Sequence, residues 1–300
     1  MNEYVNIYEE LGKRLAYEQV SVSVSIDADG NAHEHIGQDG EYTSTFTYPV
    51  HLVLFGGGHI AQSLVPVVLQ CGLKVTVIDD RMEMKDCFPP LVEFIHASFD
   101  KLPVRKLNKI VNPYFCIFTH GHSHDSECLY YCLKRKSSYI GMIGSKNKIK
   151  YCFEQMKEKG ISEKKLSKVH SPIGLAINAV TPQEIAVSIM AEIISVYRRE
   201  KNACIVSPSL IKTLASEKNC VICRVLKASG STPAREGQIL IVYSPSLACG
   251  TIGGGALEEE AREEAARCTG SYIKTYDLSR DGELGMTCGG EVTVLFSYRA

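Results

Sequence analysis

Cys288 stands inside Gly285-Met286-Thr287-Cys288-Gly289-Gly290, and a second glycine run, Gly253-Gly254-Gly255, opens directly onto Ala256-Leu257-Glu258. Glycines leave backbone amides unshielded, and nearby amides favour a thiolate, the form of cysteine that binds soft metals or attacks electrophiles. A helix preceded by three glycines offers free amides to an anion, with Glu258 in its first turn able to cap it or to accept from the NH groups of a ligand. Gly230-Ser231-Thr232-Pro233 adds a turn after a strand. The pattern describes a pocket for something anionic and sulfur-seeking. The plainer reading is a tight corner beside an inert thiol, and the glycines on both sides of Cys288 favour the pocket.

A separate constellation begins at Gly56-Gly57-Gly58-His59-Ile60-Ala61, a G-x-G-x-x-A pattern between an apolar strand and an amphipathic helix. Asp79 and Asp80 close the next strand about twenty residues on, where a dinucleotide-binding fold places the acid that meets the ribose. In this reading Gly56 permits the tight turn, Gly58 lets a diphosphate approach the backbone and Ala61 packs helix on strand. The alternative is a turn that only packs helix on strand. Arg81 follows the acids, either as a phosphate contact or as a solvated side chain. Downstream, Thr119-His120-Gly121-His122-Ser123-His124-Asp125 ends another strand. Three histidines and an aspartate invite a metal, but no H-E-x-x-H or paired C-x-x-C supports them, so lining of a ligand cleft by His120, His122 and Asp125 is preferred. Cys220 and Cys223 resemble a C-x-x-C, yet odd spacing in a strand sends them to opposite faces, which makes them core.

These residues need a scaffold, and the pattern from 51 to about 200 supplies one. Strands HLVLF, KVTVID, VEFIHA, YFCIFT and YIGMIG alternate with helices over 60–70, 126–134, 145–158 and 182–199, as a parallel sheet covered on both faces requires. Thr181, Pro182 and Glu184 spell a capping box at the last helix. Before this stretch come a helix over 7–17, a strand over 20–26, a turn at 28–30 and a strand near 42–48. Forty-odd residues make a weak domain alone, so residues 1–48 are expected to pack onto the C-terminal part, 203–300, with 49–202 as the nucleotide-binding domain. That C-terminal part continues with a helix over 209–217, a strand over 220–226 and a helix over 256–268. The fold class is α/β: a Rossmann-like doubly wound parallel sheet plus a C-terminal α+β domain.

Composition excludes several function classes. Lys plus Arg at 33 nearly cancels Asp plus Glu at 34, and no basic block grips a phosphate backbone, so nucleic acid is not an expected partner. No run of eighteen apolar residues exists and the acidic, amphipathic start is unlike a secretory signal, so the expected place is the cytoplasm, away from membranes. Twelve cysteines there read as reduced thiols, most of them small buried hydrophobes.

LFGGGHIAQ, VIDDR, THGHSHD, YIGMIGSKNK and SPIGLAINAVTPQEIAVSIMAEI resemble the nucleotide-binding domain of the XdhC/CoxI family of xanthine dehydrogenase accessory proteins. GSTPAREG, GTIGGGALE, YDLS and GMTCGGE resemble that family's signature domain, so the likeness covers about residues 50–300. It implies a non-catalytic chaperone that binds molybdenum cofactor (molybdopterin), shields it during sulfuration by a cysteine desulfurase and delivers it to a molybdenum hydroxylase such as xanthine dehydrogenase. On that implication Cys288, with Gly289 and Gly290, lies near the molybdenum or the dithiolene. Gly253, Gly254, Gly255, Glu258 and Ser231 surround pterin or phosphate. Gly56, Gly58, His59, Asp79, Asp80, Arg81, His120, His122 and Asp125 hold NAD(P), another nucleotide or the cofactor's tail. A homo-oligomer is expected. Three departures stand out: the signature domain follows the nucleotide domain where the family usually has it first, Ala234 replaces an arginine, and Ala176 and Asn178 replace the aspartate and glycine of a G-L-D-I-G run. The competing reading is an NAD(P)-dependent oxidoreductase using the His120–Asp125 loop for proton transfer.

Overall fold

The computed structural model describes residues 7–120, 124–198, 203–279 and 290–300. Two compact units emerge: Pro49–Arg199 is one, and the other takes both the chain up to Tyr48 and the chain from Glu200 onward.

The discontinuous unit starts with α1 (Ile7–Leu15), β1 (Val20–Ile26), β2 (Ala32–Ile36) and β3 (Tyr42–Thr47). α1 buries Tyr8, Leu11 and Leu15, one stripe of a 3.6-residue repeat. The alternation VSVSVSI makes β1, whose Val20, Val22 and Val24 are buried. β2 is a strand that hydrophobic pattern does not announce, because AHEHI is largely polar. It is held by antiparallel pairing with β1 and by a turn in which Asp27 accepts the N–H groups of Asp29 and Asn31.

The continuous unit runs β4 (His51–Phe55), α2 (His59–Gln70), β5 (Lys74–Asp79), β6 (Glu93–His96), α3 (Val104–Leu107), β7 (Pro113–Ile117), α4 (Asp125–Lys134), β8 (Tyr139–Met142), α5 (Lys146–Glu158), α6 (Glu163–Leu166), β9 (Val169–His170) and α7 (Pro182–Tyr197). Its strands form a parallel sheet in the order β6-β5-β4-β7-β8-β9. The expected doubly wound sheet is therefore present, with the short β9 added at one edge. Both faces of the sheet are covered, which explains the unbroken apolar strands. Leu52, Leu54 and Val77 pack with Leu64, Val68, Ile189 and Ile193 of α2 and α7. Val53, Phe55 and Ile117 pack with Leu129, Cys132, Cys152 and Met156 of α4 and α5. The capping box of α7 is formed: Thr181 Oγ1 accepts the Glu184 N–H, and the Glu184 carboxylate accepts the Thr181 N–H.

The chain then completes the first unit with β10 (Cys204–Ile205), α8 (Pro208–Ser216), β11 (Cys220–Ser229), β12 (Ile239–Ser244), β13 (Leu247–Gly250), α9 (Gly255–Ala265), β14 (Ser271–Asp277) and β15 (Glu291–Arg299). Two sheets result, β10-β3-β1-β2 and β13-β12-β11-β15-β14. Val24 and Ala32 of the first meet Leu226 and Leu295 of the second, while α9 covers another face of the second through Leu257, Ala261 and Ala265. Between the chain's two ends lies a buried ion pair: Arg224 on β11, fully buried, reaches Glu34 on β2 at 3.1 Å, and Tyr8 donates to the same carboxylate. Among the described residues, Nε and Nη1 of Arg224 have no hydrogen-bond partner.

Most described cysteines are buried, including Cys116, Cys128, Cys132, Cys220 and Cys223. Burial pushes their thiols up, away from the reactive thiolate. Cys223 joins the core beneath α9, the structural role its spacing suggests.

Candidate functional site

In the parallel unit, strand order reverses between β4 and β7, the point where open α/β sheets bind ligands beyond their carboxyl ends. Gly56 has φ +112°, and a Cβ there would fall 2.3 Å from the carbonyl oxygen of Phe118, so the turns after β4 and β7 touch backbone to backbone. Gly58 differs. As N-cap of α2 it has φ −70°, open to any residue, and a Cβ added there would meet nothing within 4 Å. No conformational or packing demand requires glycine at 58. Open space in front of a helix N-terminus remains, the feature an approaching phosphate needs. His59 opens that helix.

Asp79 turns inward. It is fully buried, and its carboxylate accepts the Gly57 N–H at 2.6 Å, the Arg81 N–H at 3.0 Å and the Arg81 guanidinium twice at 2.9 Å. Burial raises its pKa, and the bonds from Arg81 and Gly57 outweigh that and hold it below the usual carboxylate range. Each oxygen is already shared by two donors, so Asp79 struts the glycine turn instead of presenting an acceptor to a ribose. Arg81 is paired with Asp79 through Nε and Nη2, and its side chain stays 32% exposed. Asp80 is the acid nearer the surface, and His120 Nε2 lies 2.8 Å from its Oδ1. Asp79, Asp80 and His120 could offer ligand atoms within 4.8 Å of one another. The Arg81 cation on Asp79 opposes a metal there.

Asp125 is also drawn away from the cleft. It is fully buried at the start of α4, accepts from Thr119 Oγ1 and pairs with the Lys148 ammonium. Sequence reasoning misses Lys148, although a signal exists. It sits in the first turn of α5, where the helix dipole disfavours a cation, and the buried Asp125 carboxylate offsets that cost. Thr119, Asp125 and Lys148 thereby close the ends of the histidine loop. His122 lies outside the described residues.

In the discontinuous unit, the signature segments converge. Ser229 at the end of β11 and Asp277 at the end of β14 both pair with Glu291, which begins β15. Gly290, φ +133°, leaves only 2.5 Å between an added Cβ and the Ser229 carbonyl oxygen, and its own carbonyl accepts the Leu278 N–H. Gly253, φ +120°, is pressed against Ala234 in the same manner, at 2.9 Å from its nitrogen. The turn from 230 to 234, with Ser231 exposed on it, thus touches both glycine runs. Gly254, φ +75°, faces open space.

Glu258 already fills part of the expected anion site. Its Oε2 accepts from Thr251 Oγ1 at 2.9 Å and from the Gly254 N–H at 3.2 Å, with the Ile252 N–H at 3.4 Å, while Oε1 takes the Arg262 guanidinium at 3.1 Å. Of the two roles open to it, capping is the one it performs, and these loop amides are not free. Pro245, Gly255, Glu258, Glu259, Arg262 and Glu263 line an adjoining open cavity of about 400 Å³. Cys288 and Gly289 lie outside the described residues.

Comparison with known proteins follows the same division. Residues 52–193 match the model of the XdhC Rossmann domain, and residues 213–277 match the model of the XdhC and CoxI family. The uncharacterized protein YqeB of Escherichia coli K12 is 28% identical over 186 residues, 60% of this chain and 34% of that protein. A Bacillus subtilis 168 protein named as a probable xanthine dehydrogenase component is 30% identical over 150 residues, 49% of this chain and 43% of that protein. The chain therefore spans less than half the length of these curated relatives. A crystal structure of a protein named xanthine dehydrogenase from Bacillus halodurans is 24% identical with a TM-score of 0.44, covering 65% of this chain and 63% of that one. Both matched models describe domains of one family and together they account for more than half of the sequence, so the chain belongs to the XdhC and CoxI family.

Proposed function

We propose that this chain is an accessory protein of a molybdenum hydroxylase such as xanthine dehydrogenase, binding molybdenum cofactor and supporting its sulfuration and insertion. The observation that carries the reading is the meeting of the family's signature segments on one turn, with Gly290 against Ser229 and Gly253 against Ala234. In the sequence Cys288 stands two residues before Gly290. The residues fit the group in a specific sense. Gly254 leaves open space beside a helix N-terminus, and Glu259 and Glu263, in the lining of the adjoining cavity, supply acceptors of the kind a pterin's NH edge needs.

When bound, the cofactor supplies soft sulfur and a metal; the chain's contribution is to hold and shield it. Cys288 takes the metal or dithiolene side, and the Ser231 turn with Gly253, Gly254 and Gly255 surrounds pterin or phosphate. Gly58 and His59, considered by themselves, admit a nucleotide at the head of α2. A cysteine desulfurase is the partner that sulfuration requires, and the cytoplasm is where such partners meet. The oxidoreductase alternative draws less support, since Asp79 spends its carboxylate on the glycine turn.

Purified protein incubated with molybdopterin and separated from free cofactor is expected to retain it, and Cys288→Ala is expected to lose most of the bound cofactor. Equal retention by the variant would remove the thiol's role. Tight, saturable NADH or NADPH binding with no molybdopterin retained would favour the oxidoreductase.

A further inference from the structure

The outer face of α7 carries an unusual stripe. Val187 is 54% exposed and Ile194 42%, with Ala191 between them on the same helix face, and Val180, 81% exposed, extends the patch just before the helix. Apolar side chains exposed singly need no explanation, but a continuous row at helical spacing marks a contact surface. The inner face of the same helix is already committed to the sheet through Ala186, Ile189, Met190 and Ile193. The outer row is therefore not part of that core.

The charges at the ends of the stripe identify what fits it. Glu184 lies seven residues before Ala191 and Arg198 seven residues after, and both are exposed. Oε2 of Glu184 accepts the Val180 and Thr181 N–H groups at the helix start, which leaves Oε1 to accept from a partner. The Arg198 guanidinium lies over the Tyr197 ring with its edge N–H groups still able to donate. An α-helix rises about 1.5 Å per residue, so each charge stands roughly 10 Å from the centre, on opposite sides. Laid antiparallel on an identical helix with Ala191 at the crossing, each Glu184 meets the other copy's Arg198, and Val187 meets Ile194. The small side chain at the centre lets the two backbones approach. A surface that complements itself under a two-fold rotation is the signature of an isologous dimer contact.

We propose that the α7 face is a homodimer interface, formed by antiparallel pairing with a second copy of this chain about a two-fold axis at Ala191. The inference does not depend on what the protein binds.

Sedimentation velocity of the full chain over a wide concentration range tests it. The expected result is a dimer that Val187→Glu abolishes at every concentration and that Arg198→Glu, which sets two acids against each other, weakens at least about tenfold. Circular dichroism and the melting temperature report whether either variant is still folded. Ala191→Cys, independent of both, is expected to give a disulfide-linked dimer on mild oxidation that is absent from the parent chain under the same conditions. A monomer at all concentrations, or a dimer that survives Val187→Glu without the Ala191→Cys crosslink, overturns the proposal. A monomer in which the introduced cysteine resists a maleimide would show instead that the stripe is covered by the chain itself, and also overturns it.

Discussion

Gly56 and Gly58 look alike in the sequence and are not alike in the fold. At 56 the backbone has positive φ and no room for a methyl group, so Gly56→Ala is expected to cost about 2 kcal/mol or more in urea unfolding. At 58 neither constraint applies, and Gly58→Ala is expected to stay within about 1 kcal/mol of the parent, the usual scale for an N-cap change. Gly58→Ala should instead weaken any ligand that approaches the head of α2, which isothermal titration of parent and variant with NADH and with molybdopterin would measure. Lys148 makes a second residue-scale case. Lys148→Met strands the fully buried Asp125 without its cation, and a loss of about 3–5 kcal/mol in denaturant unfolding is expected. The acids show where reading by residue type stops. The positions of Asp79 and Asp125 are plain from spacing, yet which way each carboxylate points depends on Arg81 and Lys148, and strand-end motifs do not encode that.

At the scale of elements, repeats and caps carry most of the information. The parallel sheet, the capping box of α7 and the alternation of β1 follow from local pattern, because burial on one or both faces dictates the residue types. β2 and the two-residue β9 do not announce themselves. Their hydrogen bonds are to neighbouring strands, and their own sequences carry no repeat long enough to read. β4 supplies a pH prediction through His51, which packs across β5. Burial is the main cause that pushes its pKa down from 6.5 to about 4, and its Nε2 lies 2.8 Å from Thr76 Oγ1, which itself donates to Glu93. The unfolded chain therefore takes up a proton that the folded chain refuses between those two values, and stability falls as pH drops from 6.5 towards 4. His51→Gln is expected to flatten this part of the stability-against-pH curve, measured by urea titration at several pH values. An unchanged slope would assign the acid sensitivity to other groups.

For the whole molecule, the consequential fact is that one unit is built from both ends of the chain around a continuous one. The expectation that residues 1–48 are too few to fold alone comes from size, and their sheet does lie on Leu226 and Leu295 of the later strands. Glu34→Ala tests how strongly the ends are joined. It leaves Arg224 buried without its counter-charge, and about 3–5 kcal/mol of lost stability is expected, with the discontinuous unit melting at lower temperature in calorimetry. Neither the sheet order of that unit nor the partner of Arg224 can be read from local sequence, since Glu34 and Arg224 are distant along the chain and no periodicity links them.

This arrangement also sets a timetable for synthesis. The ribosome emits β1, β2 and β3 first, then an entire parallel-sheet unit able to collapse on its own core, and only afterwards β11 and β15, which cover the opening strands. At the usual pace of about 5–20 residues per second, the earliest segment waits many seconds with its apolar side unshielded. A nascent chain stalled shortly after α7 should consequently recruit a holding chaperone through its first 48 residues, and release it once β15 has emerged.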